Sequence, residues 1–252
     1  MSHGLHCRAD GPATAPPLLL GPSLGTSTAL WDAVTPLLSG AHRVLRWDLP
    51  GHGGSPPDLL APGARVADLA DLVLDLADRV GLERFAYAGV SLGGAVGLHL
   101  AVHHRARLTR LAVVCSSARF GDPEAWRDRA ALVRREGLRD LARTAPRRWF
   151  TPGFTVPRLV ADHRRADPGA YAACCDALAA YDLRRELPAI TTPTVVVAGR
   201  EDRATPPAHG REIAAAVPRA RYVELRHAAH LAPAERPEAV ARVILGSGDG
   251  SA

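Results

Sequence analysis

The 252-residue sequence contains no lysine, no asparagine and no glutamine, so all 31 basic residues are arginine. A formal charge of +5 and a pI near 9.5 would suit a polyanionic partner. The arginines, however, alternate with aspartate and glutamate along most of the chain. No basic stripe interleaved with aromatics forms, which argues against a nucleic-acid partner. Cysteine is scarce: Cys7, Cys115 and the adjacent Cys174 and Cys175. They show no C-x-x-C spacing and no regular framework, a pattern expected of reduced thiols in a cytoplasmic protein. Long apolar runs are missing too. Nothing approaches the roughly 20 residues a membrane helix needs, and Met1-Ser2-His3-Gly4-Leu5 has no basic segment leading into an apolar core. The expectation is a soluble cytoplasmic chain, long enough for one large α/β domain with a full core.

What is present alternates strand-like and helix-like stretches, which predicts a mostly parallel sheet covered by helices on both faces. Pro17 to Leu20 reads as a short strand ending in the irregular loop Gly21-Pro22-Ser23-Leu24-Gly25-Thr26. Ser27 or Thr28 then caps a helix expected to run to Leu38. Arg43 to Trp47 is a second strand, closed by the turn-dense Asp48-Leu49-Pro50-Gly51-His52-Gly53-Gly54-Ser55. Val66, Leu69, Val73, Leu76 and Val80 recur at helical spacing, and Gly81 supplies a left-handed stop. Further strands are expected over 84–88, 108–115, 194–198 and 222–225, with helices over 92–102, 207–217 and 237–245. Residues 120–187 carry no convincing strand and read as short helices punctuated by proline and glycine. The expected division is an α/β core of 1–119 and 188–246, a helical cap of 120–187, and a frayed tail of 247–252.

The chemistry concentrates at Gly89-Val90-Ser91-Leu92-Gly93, a G-x-S-x-G run between a buried strand and a Gly/Ala/Leu-rich helix. That context is the strand–turn–helix of a nucleophile elbow, in which Gly89 and Gly93 keep side chains out of a tight turn. Ser91 as nucleophile needs a base, and the base an orienting acid, in the chain order Ser, Asp, His. Catalytic groups of parallel sheets sit at the carboxyl ends of strands, which selects Asp202 and His230. Glu201 and His227 are rivals at the neighbouring positions. The backbone N–H of Leu92, and that of Leu24 in the loop after the first strand, are the candidate oxyanion hole, since Pro22 has no N–H to give. His52 reads as a structural loop residue, because one base suffices.

Several segments together resemble the α/β-hydrolases, and specifically the 3-oxoadipate enol-lactonases. They are Asp48-Leu49-Pro50-Gly51-His52-Gly53, the elbow itself, Ser23-Leu24-Gly25-Thr26 with Leu30-Trp31-Asp32, and Arg148-Trp149-Phe150-Thr151-Pro152. Tyr171-Ala172-Ala173-Cys174-Cys175 with Asp182-Leu183-Arg184, and Ala228-Ala229-His230-Leu231 with Glu235-Arg236-Pro237-Glu238, extend the similarity over nearly the whole chain. Two departures stand out. Pro22 replaces the asparagine usual in these lactonases, and the short amino end would leave the first edge strand missing. A fused carboxymuconolactone decarboxylase domain, found in some relatives, is not expected before Ala252.

The resemblance implies a serine hydrolase with an α/β-hydrolase fold that opens the lactone ring of 3-oxoadipate enol-lactone to 3-oxoadipate, with no metal or organic cofactor. Its partner would be a small lactone carrying a carboxylate, with Ser23, Arg148 and Trp149 as candidate substrate-binding residues. A homo-oligomer is compatible with the sequence. Another ester or C–C bond hydrolase on the same fold stays open, as does a non-catalytic binding protein for small ligands. An aspartate-nucleophile dehalogenase or epoxide hydrolase is disfavoured because position 91 is serine.

Overall fold

Strands that are apolar on both sides require a layer of helices over each face of their sheet. The computed structural model describes residues 4–246; the expected tail at 247–252 lies outside the described residues. The strands are β1 (Cys7–Asp10), β2 (Pro17–Gly21), β3 (Arg43–Trp47), β4 (Phe85–Val90), β5 (Leu108–Val114), β6 (Thr194–Gly199) and β7 (Arg221–Leu225). They form one sheet in the order β1-β3-β2-β4-β5-β6-β7. β1 is antiparallel to β3 and every other pair is parallel. Alternation at period two divides the core. Leu19, Tyr87, Val113 and Val196 face one apolar cluster, while Leu18, Leu20, Ala88, Val114 and Val197 face the other.

The helices are α1 (Thr35–Leu38), α2 (Val66–Arg79), α3 (Leu92–His103), α4 (Pro123–Glu136), α5 (Arg139–Thr144), α6 (Pro146–Trp149), α7 (Pro157–Arg165), α8 (Pro168–Ala179), α9 (Pro207–Ala216), α10 (Ala232–Glu235) and α11 (Pro237–Leu245). α2 buries Val66, Leu69, Val73 and Leu76 of the expected stripe. The Arg65 N–H donates to the Asp68 carboxylate at 2.7 Å, closing its first turn. Gly81 follows at φ 74°. No helix of the described residues is long and apolar enough to cross a membrane.

Two elements differ from expectation. The helix expected from residue 27 or 28 to Leu38 is split. The Ser27 hydroxyl does accept from Ala29 N–H at 3.2 Å, but it caps only the tight turn Thr28–Trp31, and α1 restarts at Thr35. Pro36 explains the break, because it has no N–H to continue the ladder and its ring excludes the carbonyl four residues back. The amino end also supplies one edge strand, β1. Its polar Cys-Arg-Ala-Asp run gives no apolar alternation, since only its ends are half-buried.

Five helices, α4 to α8, lie between β5 and β6. Their chain leaves and returns at one place: Leu183 N–H donates to the Ala118 carbonyl at 2.9 Å, and Arg119 pairs with Asp182 in an isolated bridge. The segment therefore stands over the carboxyl ends of the strands on a closed neck.

Candidate active site

The turn between β4 and α3 places Ser91 at φ 55° and ψ −114°, where a side chain is strained. Its backbone is pinned on both sides. The N–H donates to Val114 O at 3.0 Å, and the carbonyl accepts from Ala95 N–H at 2.9 Å and from the Ser116 hydroxyl at 2.7 Å. The two glycines are required by close approach. A Cβ at Gly89 would lie 2.2 Å from the Gly93 carbonyl oxygen, and one at Gly93 would lie 2.6 Å from that of Pro22. Gly93 N–H donates to that same Pro22 oxygen at 3.0 Å, drawing the loop after β2 against the start of α3. Proline serves here because only its carbonyl is used. Among the described residues, neither the Leu24 nor the Leu92 N–H has an acceptor.

The loop after β6 carries Asp202 and the loop after β7 carries His230, both buried. His230 Nδ1 lies 2.9 Å from Asp202 Oδ2. Asp202 also accepts from Ala204 N–H at 2.7 Å, Thr205 N–H at 3.0 Å and the Thr205 hydroxyl at 2.8 Å. Burial raises its carboxyl, but the His230 ring and these hydrogen bonds outweigh burial and hold it below its ordinary value. A carboxylate accepting at Nδ1 assigns the proton there and leaves Nε2 free to act as a base.

The neighbouring Glu201 and His227 lie outside this pair. Glu201 accepts from Ala228 N–H at 3.1 Å and braces the histidine loop, and His227 is exposed. Glu235 accepts from Ala229 N–H at 2.6 Å and from Thr151 N–H at 2.8 Å, tying the same loop to the end of α6. Leu231 N–H adds a bond to the Trp149 carbonyl at 3.0 Å.

Ser91 and His230 line one cavity of about 240 Å³, together with Ser23, Leu24, Arg148 and Trp149. No hydrogen bond joins the Ser91 hydroxyl to the ring; catalytic contacts commonly tighten only with substrate in place. Asp202 stands behind His230, and Leu92 is buried at the foot of α3. The cavity wall also holds Arg129, His163, Tyr171 and Arg203, which sequence reasoning did not single out for the site. Thr205 was missed as well. Among these, only Tyr171 stands in a segment that carries the family resemblance.

A column of rings runs along this wall. Trp149 and His163 are 5.0 Å apart, His163 and Tyr171 5.4 Å, and Tyr171 and His52 6.0 Å between centroids. His52 Nε2 accepts from Gly25 N–H at 3.2 Å while Nδ1 faces the Pro50 carbonyl at 2.8 Å. His52 thus holds the loop bearing Leu24, and burial keeps its ring neutral. Gly25 sits at φ 83°, where a Cβ would lie 2.7 Å from His163 Cδ2. Burial, then His52, Arg148 and Arg129, push the His163 ring down to about 3. Burial and the nearby Arg129 also lower Arg148. Among the described residues no three His, Cys, Asp or Glu side chains gather closely enough to hold a metal ion.

The profile of the Alpha/beta hydrolase family matches residues 18–243. The chain is 34% identical to 3-oxoadipate enol-lactonase 2 of Acinetobacter baylyi over 91% of its own length and 87% of that protein's. A Variovorax paradoxus relative named for carbamate hydrolysis is 35% identical over 80% of each chain. Among solved structures, the enol-lactonase of Burkholderia xenovorans LB400 superposes with a TM-score of 0.91 at 37% identity, covering 96% of this chain and 95% of that one.

Proposed function

The chain belongs to the alpha/beta hydrolase family, and from that premise we propose that it is a serine hydrolase opening the lactone ring of 3-oxoadipate enol-lactone. The observation that carries this reading is that His230, paired with Asp202 at 2.9 Å, lines one cavity with a serine held on a strained elbow. The likeness to enol-lactonases supports the substrate, and the four free thiols suit a cytoplasmic protein.

In this mechanism Ser91 Oγ attacks the lactone carbonyl while His230 Nε2 takes its proton. The Leu24 and Leu92 N–H groups receive the developing oxyanion. Asp202, kept ionised by its donors, stabilises the imidazolium. Collapse breaks the ring C–O bond and expels an enolate, a better leaving group than an alkoxide, which takes the proton back from His230. Because the substrate is cyclic, the acyl-enzyme keeps every atom of it. Water, deprotonated by His230, then attacks the ester, Ser91 recovers its proton, and the enol ketonises to 3-oxoadipate. Arg148 and Trp149 would hold the substrate's own carboxylate and flat ring, and Ser23 would contact it from the loop after β2.

Decay of enol-lactone absorbance tests this directly. Ser91→Ala and His230→Ala should each lower kcat by about 10⁴-fold or more, and Asp202→Asn by a comparable factor. Equal rates in wild type and all three variants would remove the mechanism. A p-nitrophenyl acetate rate exceeding the lactone rate would favour a general esterase. Absence of Ser91-dependent fluorophosphonate labelling would favour a binding protein.

A further inference from the structure

The reaction proposed above assigns the substrate's carboxylate to Arg148 and leaves Arg129, which lines the same cavity, without a role. Arg129 on α4 and Arg148 on α6 both line it and both are half-buried. Among the described residues neither has a carboxylate within ion-pair distance, and no aspartate or glutamate lines the cavity. The Arg129 side chain is held in place. The Arg129 guanidinium lies 4.6 Å over the Trp126 ring, and Tyr171 lines the same cavity. Arg148 precedes Trp149, whose carbonyl accepts from Leu231 N–H at 3.0 Å beside His230.

The two guanidinium-bearing side chains line one cavity of about 240 Å³, with His163 and Tyr171 on the same wall. Like charges desolvated on one wall destabilise the site, and an anion between them removes that cost. His163 adds a second sign of a missing ligand: its ring is 1% exposed and neither nitrogen has a partner. Neutral imidazole can donate one N–H to an anion.

We propose that Arg129 and Arg148 together form an anion subsite for the carboxylate of the acyl substrate, and that Arg129 sets selectivity for carboxylate-bearing lactones over neutral ones. This rests on the lactonase reading above. Two helices of the inserted segment then close on one ligand group, each offering paired N–H donors. The ring-opened product carries two carboxylates and competes for the same groups.

The test compares kcat/KM for 3-oxoadipate enol-lactone with that for α-angelica lactone, the same ring with methyl in place of the carboxymethyl arm. In Arg129→Met the ratio of the two should fall at least about tenfold, mainly through KM of the charged lactone, and Arg129→Lys should recover part of it. A ratio within about twofold of wild type overturns the proposal, as does an equal loss on both lactones. Calorimetry of adipate binding to the Ser91→Ala protein separates this claim from the reaction itself. If the wild type hydrolyses neither lactone, the reaction reading falls, and adipate still decides the subsite. Affinity lost about tenfold on adding Arg129→Met supports it, and no adipate binding or unchanged affinity overturns it.

Discussion

Ser91 is held at φ 55° by bonds to Val114, Ala95 and Ser116, a conformation that costs a non-glycine residue about 1–3 kcal/mol. Glycine adopts it freely. Ser91→Gly should therefore raise the melting temperature by about 2–4 °C for each kcal/mol relieved while abolishing hydrolysis; a melting temperature at or below wild type would show that the elbow stores no strain. His163 makes the complementary case. Its two unpaired nitrogens are buried between Trp149 and Tyr171, so His163→Phe keeps the ring contacts and should stabilise the fold at neutral pH by about 1 kcal/mol in urea unfolding. Loss of stability would mean that the imidazole is satisfied in solution. At this scale the placement of Ser91, Asp202 and His230 beyond strand ends is legible in the sequence, because the mechanism proposed for them demands a fixed chain order there. Arg129 is not, since nothing local separates it from thirty other arginines, and Thr205 gains its role only once the fold sets His230 against Asp202, three residues before it.

The loop after β2 depends on residues far from it in the chain. His52 holds Gly25 N–H, Pro22 is drawn to Gly93, and Gly25 leaves no space for a Cβ beside His163. Gly25→Ala should push the Leu24 amide out of position and lower kcat by about 10²-fold, as removal of one oxyanion donor does, with the far-UV circular dichroism retained. Full activity would separate this loop from the chemistry. Most strands and the long helices were readable because periodicity reports burial. The 27–38 stretch reads as one helix from its capping residues alone, whereas Pro36 divides it in the fold. β1 escaped because an edge strand needs no apolar face.

Over the whole molecule, buried histidines couple folding to acidity. His163 is pushed down to about 3 and His99 to about 4, each chiefly by burial, and burial lowers His52 as well. All three bind protons more readily unfolded, near the ordinary 6.5, so stability rises with pH across this window. It is fully present above about 6.5 and is lost progressively as pH falls through 6 to 4. Melting temperatures measured from pH 8 to pH 5 should decline on the acid side, and His163→Phe should flatten that decline; an unchanged slope would assign the acid sensitivity elsewhere. The mostly parallel sheet and the helical run between its strands follow from alternation and punctuation, while the four-ring column sets Tyr171 against His52, more than a hundred residues away, and has no local signature. Trp149 stands at one end of that stack, and Gly25 leans on its second and fourth members. The protein thus carries a native fluorophore mechanically linked to the amide it would use to hold an oxyanion, an internal gauge whose emission should report when that loop is seated.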